Sequence, residues 1–300
     1  MAGPATILQA PSIGNSKRSF DVVVPEIGGL AHYWHDNSIP SSPWIRTGVS
    51  APGVKDASAL VRSPENERLE VVARLGKNLF HYWRTPNLIW HRTETPITRT
   101  AEGAPASIYS SYGNLELVVQ EGTQLVHYWR DHLAFGQPWK YGGGVAPRTT
   151  GPAGFVQRPF GFGEHKDFEA AVPVDDRIEF YWRDNRDPRL PWKPGGTVTS
   201  GTCIVNAVAL AVSNYNHYDE HLEILAQECE RSIFHYYRYV ESNSDRIWYR
   251  QACLRIDEGD FSPRPPIPDR CLSFKVNQLT GEFDHQENHP TQFSPPLNAG

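Results

Sequence analysis

Two segments of the sequence, residues 159–167 and 213–221, interleave aromatic rings with side chains that can exchange protons. A histidine, lysine or tyrosine can donate a proton to a leaving oxygen or polarise a carbonyl, which is general acid–base chemistry. The candidate catalytic residues are His165, Lys166, Tyr215, His217 and Tyr218. We predict no metal and no cofactor, because the cysteines match no zinc spacing and no Gly-rich phosphate loop is present. The alternative is that both segments are solvated loops whose histidines are incidental.

A second set of residues could form the walls of a binding pocket. Aromatic side chains offer flat apolar surfaces on which a sugar ring or another flat ligand can stack. Some of these aromatics lie in the segment 159–167, one lies in the short turn 111–114, and the others belong to a repeated phrase. The candidate substrate-binding residues are Tyr112, Phe160, Phe162, Trp129, Trp182 and Tyr237.

The repeated phrase occurs five times and organises the whole chain. In its clearest copy it reads Gln-Leu-Val-His-Tyr-Trp-Arg-Asp over residues 124–131, and a second tryptophan follows at Trp139. The first aromatic of each copy stands at Trp34, Trp83, Trp129, Trp182 and Tyr237, and the second at Trp44, Trp90, Trp139, Trp192 and Trp248. The first aromatic recurs after 49, 46, 53 and 55 residues, and all 9 tryptophans fall in the two positions. This regularity indicates a repeat architecture.

The repeats predict the fold. Each contains four runs of β-branched and apolar residues bounded by Gly, Pro, Asn and Asp, and none has a helical period. Four short strands in about 50 residues are typical of a propeller blade. We predict an all-β fold, a single β-propeller domain spanning residues 1–300 with four-stranded antiparallel blades, five blades being favoured and six possible. The predicted repeats cover about residues 4–50, 56–100, 105–148, 152–200 and 206–256, with a partial repeat or closing tail at 263–300.

The repeated charges admit two interpretations. Residues alternate across a strand, so the His and Trp of the phrase share one face and the Tyr and Arg the other. The second strand of each repeat is valine-rich and expected to be innermost, and it carries one acid: Asp21, Glu70, Glu116, Glu169 or Glu223. These acids could form a ring of ligands or bases. We favour structural pairs between blades, because a charge repeated in every blade has the same role in each. The arginines available for these pairs are Arg84, Arg130, Arg183 and Arg238.

The repeated aromatics are interpreted in the same way. A tryptophan in every blade favours packing between blades, and stacking against a ligand is the alternative. The histidine of the phrase is replaced by Phe180 in the fourth copy, which argues against an obligatory metal or acid–base role at that position. Chemistry is therefore expected where the repeat breaks, in the loops of unequal length.

Composition limits the partners. The 300-residue chain has 39% hydrophobic residues and a net charge of −5, and without a basic face it is not expected to bind nucleic acid. No signal-peptide pattern and no apolar run of membrane-spanning length is visible, so we predict a cytoplasmic protein that does not enter a membrane. The four cysteines are expected to be reduced and buried. An oligomer is possible.

The phrase and its spacing, over about 260 of the 300 residues, resemble the His-Tyr-Trp-Arg-Asp repeats of lectin-like β-propeller proteins of bacteria and fungi. Two branches follow from this resemblance. Fungal fucose-binding lectins imply sugar bound between blades, once per repeat. Fungal hetero-Diels–Alderases of tropolone-sesquiterpenoid biosynthesis imply a cofactor-independent pericyclase of secondary metabolism. Such an enzyme would dehydrate a hydroxymethyl tropolone or phenol to a quinone-methide-type heterodiene, which then adds to a humulene-type alkene.

The sequence favours the pericyclase, with a non-catalytic fucose-type lectin as the alternative. Equal sugar sites need equal polar residues, yet the phrase has His35 in place of Arg, Thr85 in place of Asp and Phe180 in place of His. This divergence favours one asymmetric pocket that holds two reactants in near-attack geometry. The expected partners are those two small molecules or, alternatively, glycans. A non-enzymatic adaptor propeller is a third hypothesis.

Overall fold

The computed structural model describes residues 6–9, 19–37, 39, 41–63, 68–85, 89–131, 138–158, 167–185, 191–199, 203–214, 220–228, 232–239 and 248–255. These residues contain 21 strands and no helix. The strands form five successive antiparallel sheets, each a blade of a five-bladed β-propeller, which confirms the predicted fold class.

The blades follow the chain in order, and each pairs its strands in sequence order. Blade 1 contains β1 (Thr6–Gln9), β2 (Ser19–Glu26), β3 (Gly29–Asp36) and β4 (Ile45–Ser50). Blade 2 contains β5 (Asp56–Ala57), β6 (Val61–Arg62), β7 (Leu69–Leu75), β8 (Asn78–Arg84) and β9 (Trp90–Arg92). Blade 3 contains β10 (Ala106–Tyr109), β11 (Asn114–Glu121), β12 (Gln124–Asp131) and β13 (Lys140–Ala146). Blade 4 contains β14 (Gly154–Gln157), β15 (Phe168–Val174), β16 (Arg177–Arg183) and β17 (Trp192–Thr199). Blade 5 contains β18 (Val205–Asn214), β19 (Glu220–Glu228), β20 (Ser232–Tyr239) and β21 (Tyr249–Arg255).

Blade 2 departs from the pattern in its first strand, which is split in two. Both β5 and β6 pair with β7. Between them, the Ser58 amide donates to the Val72 carbonyl and the Ser58 hydroxyl accepts from the Val72 amide. The split strand therefore occupies one strand position, and blade 2 keeps the four-stranded plan.

Short hairpins join the second and third strands, as the turn residues require. Gly76 and Gly122 have φ values of 63° and 57° in the β7–β8 and β11–β12 turns. Hairpin turns of the mirror-image types need positive φ, which glycine adopts without steric cost.

The first strand of each blade, not the valine-rich second strand, lies innermost. The first strands of successive blades contact one another, β10 with β14 and β14 with β18. The expectation for the second strand was therefore wrong. That strand lies between two strands of its own sheet, with other blades above and below, and all seven residues of β15 are buried. Burial on both faces explains its apolar composition.

The hydrophobic core is divided among the contacts between neighbouring blades, which we call seams and number by the two blades. One cluster joins blades 1 and 2 through Val23 and Leu69, and another joins blades 2 and 3 through Val72 and Leu117. A third joins blades 3 and 4 through Val118 and Phe168. The fourth joins blades 4 and 5 through Ala171 and Ile224. Among the described residues, no such cluster joins blade 5 to blade 1.

The described part of the chain has no helix long and apolar enough to span a membrane. It also contains no group of three or more His, Cys, Asp or Glu placed to hold a metal ion. Cys203 is disulfide-bonded, so the expectation that all cysteines are reduced was wrong for this residue.

Candidate functional site

In blades 1, 2 and 3 the acid and the histidine of the repeat form a buried pair within their own blade. The register places the acid opposite the first tryptophan of the phrase, as in Glu116 opposite Trp129. The histidine stands two residues earlier on the same face and donates from Nε2 to the acid. The Nε2–oxygen distances are 3.0 Å for His32–Asp21, 2.9 Å for His81–Glu70 and 2.8 Å for His127–Glu116.

The arginines of the second to fifth phrases each contact the acid or the histidine of the preceding blade. Arg130 lies 3.3 Å from Glu70, and Arg238 lies 3.6 Å from Glu169. The arginines of blades 2 and 4 contact the histidine instead, since Arg84 Nη1 is 2.8 Å from His32 Nδ1 and Arg183 Nη1 is 3.3 Å from His127 Nδ1. These contacts confirm the structural interpretation of the repeated charges.

The second tryptophan of the second to fifth phrases packs across the same seam as the arginine. Trp90 meets His32 edge-on at 6.1 Å between ring centroids, and Trp139 meets His81 at 5.9 Å. In the later seams Trp192 contacts His127 at 6.0 Å, and Trp248 contacts Phe180 at 5.4 Å. The favoured interpretation of these tryptophans as inter-blade packing is therefore confirmed.

Proton positions in these clusters follow from the donors present. A guanidinium can only donate, so the Nδ1 atoms of His32 and His127 accept and their protons lie on Nε2. Burial lowers the pKa of His81 and of His127 below the usual imidazole value. Burial alone would raise the pKa of Glu70, but the hydrogen bond from His81 and the charge of Arg130 hold it below its usual value. His81 is therefore a neutral histidine beside an ionised Glu70, and both side chains are buried.

A bulge in the fourth strand makes room for the histidine ring. The register shifts beside the histidine position in blades 1, 3, 4 and 5, leaving one extra residue in the fourth strand. In blade 3 that residue is Gly142, where an added Cβ would lie 2.0 Å from His127 Nδ1. In blade 4 it is Gly195, where a Cβ would lie 2.6 Å from the Phe180 ring. These two glycines are required by the close approach of the ring.

The first tryptophan of the phrase has different surroundings and stays partly exposed. It faces the residue that follows the second tryptophan, one strand further out. The Lys140 ammonium lies 4.4 Å from the Trp129 ring centroid, and Lys193 lies 4.8 Å from that of Trp182. In blade 2, Trp83 stacks on His91 at 5.5 Å, and in blade 5, Tyr237 stacks on Tyr249 at 5.3 Å. We call each aromatic with its fourth-strand neighbour a platform.

The sequence analysis missed the fourth-strand members of the platforms. Each of them directly follows the second tryptophan of its repeat, so aligning the five copies one residue further would have found them: Ile45, His91, Lys140, Lys193 and Tyr249.

The predicted wall residues divide among several blades. Trp129, Trp182 and Tyr237 occupy the same register position on blades 3, 4 and 5, each opposite its own acid. They belong to three platforms rather than to one pocket. The predicted residues Phe160, Phe162, His165, Lys166, Tyr215, His217 and Tyr218 lie outside the described residues.

Tyr112 extends the platform of blade 3 towards blade 4. It lies in the turn before β11, and its side chain is exposed. The neighbouring Ser111 receives two contacts from blade 4, since the Gln157 side chain accepts from the Ser111 amide at 2.6 Å and bonds its hydroxyl at 3.1 Å. Tyr112 and Glu116 both act electrostatically on Arg183, although burial lowers the pKa of that arginine overall. Tyr112 of blade 3 therefore lies within electrostatic range of Arg183 of blade 4.

The fold and these platforms define a class, a propeller whose buried acid–histidine–arginine clusters join the blades while partly exposed aromatics recur at the surface. Comparison with solved structures finds proteins of similar fold. AofleA from Arthrobotrys oligospora, in a variant with three arginines replaced by alanine, matches with a TM-score of 0.60 and 12% identity, covering 84% of this chain and 71% of that one. The fucose-specific lectin of Aleuria aurantia matches at 0.58 and 14% identity, covering 91% and 84%.

A third structure, the SapL1 lectin in complex with α-methyl fucoside, matches with a TM-score of 0.53 and 14% identity, covering 77% of this chain and 74% of that chain. At these identities the likeness establishes a lectin-like propeller fold. No protein-family model matches the chain, and neither does any curated protein sequence.

Proposed function

We propose that this protein is a carbohydrate-binding propeller lectin that binds fucose-type saccharides at its platforms. The observation that carries the proposal is the contrast within each repeat. The acids of blades 1 to 4 are buried in the seams, whereas the first aromatic of each phrase, at one fixed register position, remains partly exposed and lies beside a lysine in blades 3 and 4. The resemblance in fold to two proteins described as lectins supports the choice of ligand class.

The chemistry of a platform suits a saccharide. One face of a pyranose is lined with C–H groups and packs on an aromatic ring, while its hydroxyls need hydrogen-bonding partners at the rim. In blades 3 and 4 the lysine lies over the indole, so a sugar must displace it and can then accept a hydrogen bond from its ammonium. Tyr112, exposed in the turn before β11 of the same blade as Trp129, is a further hydroxyl group available to a saccharide.

Equivalent platforms on separate blades imply more than one site per chain. Each site alone can be weak, because a multivalent surface engages several sites at once and gains avidity without any new contact. The differences among Lys140, His91 and Tyr249 predict that the sites have unequal affinity. This expectation replaces the single pocket favoured by sequence divergence.

The test is a glycan array followed by calorimetric titration with α-methyl fucoside. We expect Trp129→Ala and Trp182→Ala each to lower the number of sites or the affinity by about tenfold, which is about 1.4 kcal/mol. Tyr141→Ala is the matched control, because Tyr141 is an exposed aromatic of the same blade that lies opposite Tyr128, on the other face. An array without binding, or equal losses in the control, would contradict the proposal.

The pericyclase remains the competing proposal, with its candidate catalytic residues outside the described part of the chain. Its test is incubation with a hydroxymethyl tropolone and a humulene-type alkene, comparing yield and stereochemistry of the adduct with a protein-free control. An adduct ratio equal to the control excludes it. Selective adduct formation together with a blank glycan array would favour the enzyme over the lectin.

A further inference from the structure

The fourth-strand member of a platform decides which charge a ligand meets there. In every blade this residue pairs in register with the first aromatic of the phrase, yet its type changes from blade to blade. In blades 1 to 5 it is, in turn, Ile45, His91, Lys140, Lys193 and Tyr249. The platforms of blades 3 and 4 therefore differ from the others by a lysine ammonium group.

Each of these ammonium groups lies over the ring on which a saccharide would stack. The distances from the ring centroids are 4.4 Å for Lys140 over Trp129 and 4.8 Å for Lys193 over Trp182. A cation in this position is attracted by the electron-rich face of the indole. A sugar that stacks on the ring displaces the ammonium and removes that attraction. The ammonium then gains most from a charged ligand group, because a charge-assisted hydrogen bond is about twice as strong as a neutral one.

The platform lysines are not neutralised by the protein in the way that other surface cations are. Among the residues that the structure describes, neither lysine belongs to an ion pair. Three other exposed cations do pair with an acid: Lys77 with Glu102 at 3.0 Å, Arg46 with Glu26 at 2.7 Å and Arg148 with Asp175 at 2.9 Å. The two platforms therefore combine a ring for stacking with a positive charge that the described part of the chain does not balance.

The acids closest to the two indoles in register have partners of their own. Glu116 stands opposite Trp129, is buried, and accepts from His127 at 2.8 Å. Glu169 stands opposite Trp182, is also buried, and pairs with arginines of seam 4–5. Asp131, two residues after Trp129 on β12, likewise has an interaction of its own. The ammonium groups of Lys140 and Lys193 are therefore the charges that a ligand on these platforms meets.

We propose that the platforms of blades 3 and 4 select saccharides that carry an anionic group, a sulfate ester or a carboxylate. Lys140 and Lys193 are the specificity-determining residues, since they bind the anion while Trp129 and Trp182 stack on the sugar ring. This inference rests on the proposed lectin function and names the ligand class for two of its sites. The chain has a net charge of −5, so a preference for anions requires local cations of this kind.

Calorimetric titration of the full chain with matched pairs of sugars tests the proposal. The first pair is α-methyl fucoside against its 2-, 3- and 4-sulfates, and the second is α-methyl galactoside against α-methyl galacturonide. We expect an acidic member to bind about tenfold more tightly than its neutral partner, and the gain to shrink as salt is added. The pair that shows the gain distinguishes sulfate from carboxylate. Inorganic sulfate is the control for charge alone and should not bind at the same concentration.

The double variant Lys140→Gln/Lys193→Gln assigns the preference to the platforms. It should bring the ratio of acidic to neutral affinity down to about one, which is a tenfold loss of selectivity. The matched control is Lys55→Gln/Lys77→Gln, which changes the net charge equally at two exposed lysines outside the platforms. This control should keep the ratio of the parent protein.

The outcomes separate this inference from the lectin function itself. Binding of α-methyl fucoside with no tighter binding of any acidic partner would overturn the anion preference and leave the lectin in place. If no sugar of either pair binds, the lectin function fails and the inference fails with it. An equal loss of selectivity in the control double variant, or tight binding of inorganic sulfate, would also overturn the inference, because the preference would then not belong to a saccharide on the platforms.

Discussion

The four described seams and the outer faces of blades 5 and 1 contain the same kinds of residue. These residues are buried in the seams but partly exposed on the outer faces. In seam 2–3, Glu70 receives His81 from its own blade and Arg130 from the next, and an apolar cluster surrounds them. At the free face of blade 5, Glu223 has its histidine and Leu225 stands beside it, yet both remain partly exposed. The difference shows that the acid and the histidine of one blade form only part of a seam. The arginine and the second tryptophan of the following blade complete it.

The largest expected effect comes from removing the acid of a closed seam. Glu70→Ala leaves Arg130 buried without its carboxylate, and breaking a buried pair in this way costs about 3–5 kcal/mol. Glu223→Ala removes the equivalent acid where solvent already reaches it, so its cost should be about 1 kcal/mol or less. Urea unfolding of both variants measures the difference. Equal costs would show that burial in the seam does not set the energy of the cluster.

A glycine substitution tests the packing of the closed seam without touching a charge. The Cβ of Gly142→Ala would lie 2.0 Å from His127 Nδ1, so the ring or the strand must shift, and such overpacking costs about 1–3 kcal/mol. Gly144→Ala is the control, since nothing lies within 4 Å of the Cβ position there. Thermal unfolding of the two variants should separate them, and a Gly142→Ala protein as stable as the control would refute the bulge assignment.

Acid should weaken the closed seams through their histidines. Because the folded pKa of His81 and of His127 lies below the usual value, the unfolded chain binds more protons. Stability is then complete above the unfolded pKa near 6.5 and falls as the pH drops, by at most about 1.4 kcal/mol per pH unit for each histidine. The lowered pKa of Glu70 acts in the same direction. His127→Phe should flatten the slope of the unfolding free energy measured from pH 7 to 5, and a slope equal to that of the parent protein would contradict this expectation.

The repeat made the fold predictable, because strand-length apolar runs at a regular spacing leave few alternatives. The pairing of acids with arginines was predictable as well, since repetition in every blade implies a shared structural role. Each arginine contacts the preceding blade rather than the following one, and this direction depends on how the sheets stack. The residue pattern within a single strand does not encode it. The exposure of Leu225 could not be predicted either. Leu225 stands where the other blades have a buried valine or alanine, so its apolar side chain was expected to be buried as well.

The platforms contain residues that sequence reasoning overlooked. Tyr112, Trp129 and Trp182 were chosen for ring type, and the structure places each of them at a surface. Lys140 and Lys193 were overlooked, because their role follows from the register between the third and fourth strands. The divergence of the copies favoured a single-pocket hypothesis, whereas the shared register position of the aromatics supports the proposal of several sites, one on each platform.

The smallest expected effect concerns the one described seam in which the histidine is missing. In seam 4–5 the Glu169 Oε1 atom accepts from Arg158 and pairs with Arg238, while its Oε2 atom is buried with no hydrogen-bond partner in the described structure. Phe180→His would place an imidazole Nε2 donor where blades 1, 2 and 3 have theirs, and Gly195 already leaves room for the ring.

Satisfying a buried acceptor contributes about 0.5–1.5 kcal/mol, partly offset by the loss of phenyl contacts with Trp248 and Arg238. We therefore expect Phe180→His to raise the unfolding free energy by up to about 1 kcal/mol, together with a new loss of stability below pH 6.5 that the parent lacks at this seam. Phe180→Leu is the control, since it removes the phenyl contacts without adding a donor, and it should only destabilise. A histidine variant no more stable than the leucine variant would mean that Arg158 and Arg238 already satisfy the hydrogen-bonding capacity of the Glu169 carboxylate. The histidines of the other seams would then stabilise the fold through the packing of their rings and not through their hydrogen bonds.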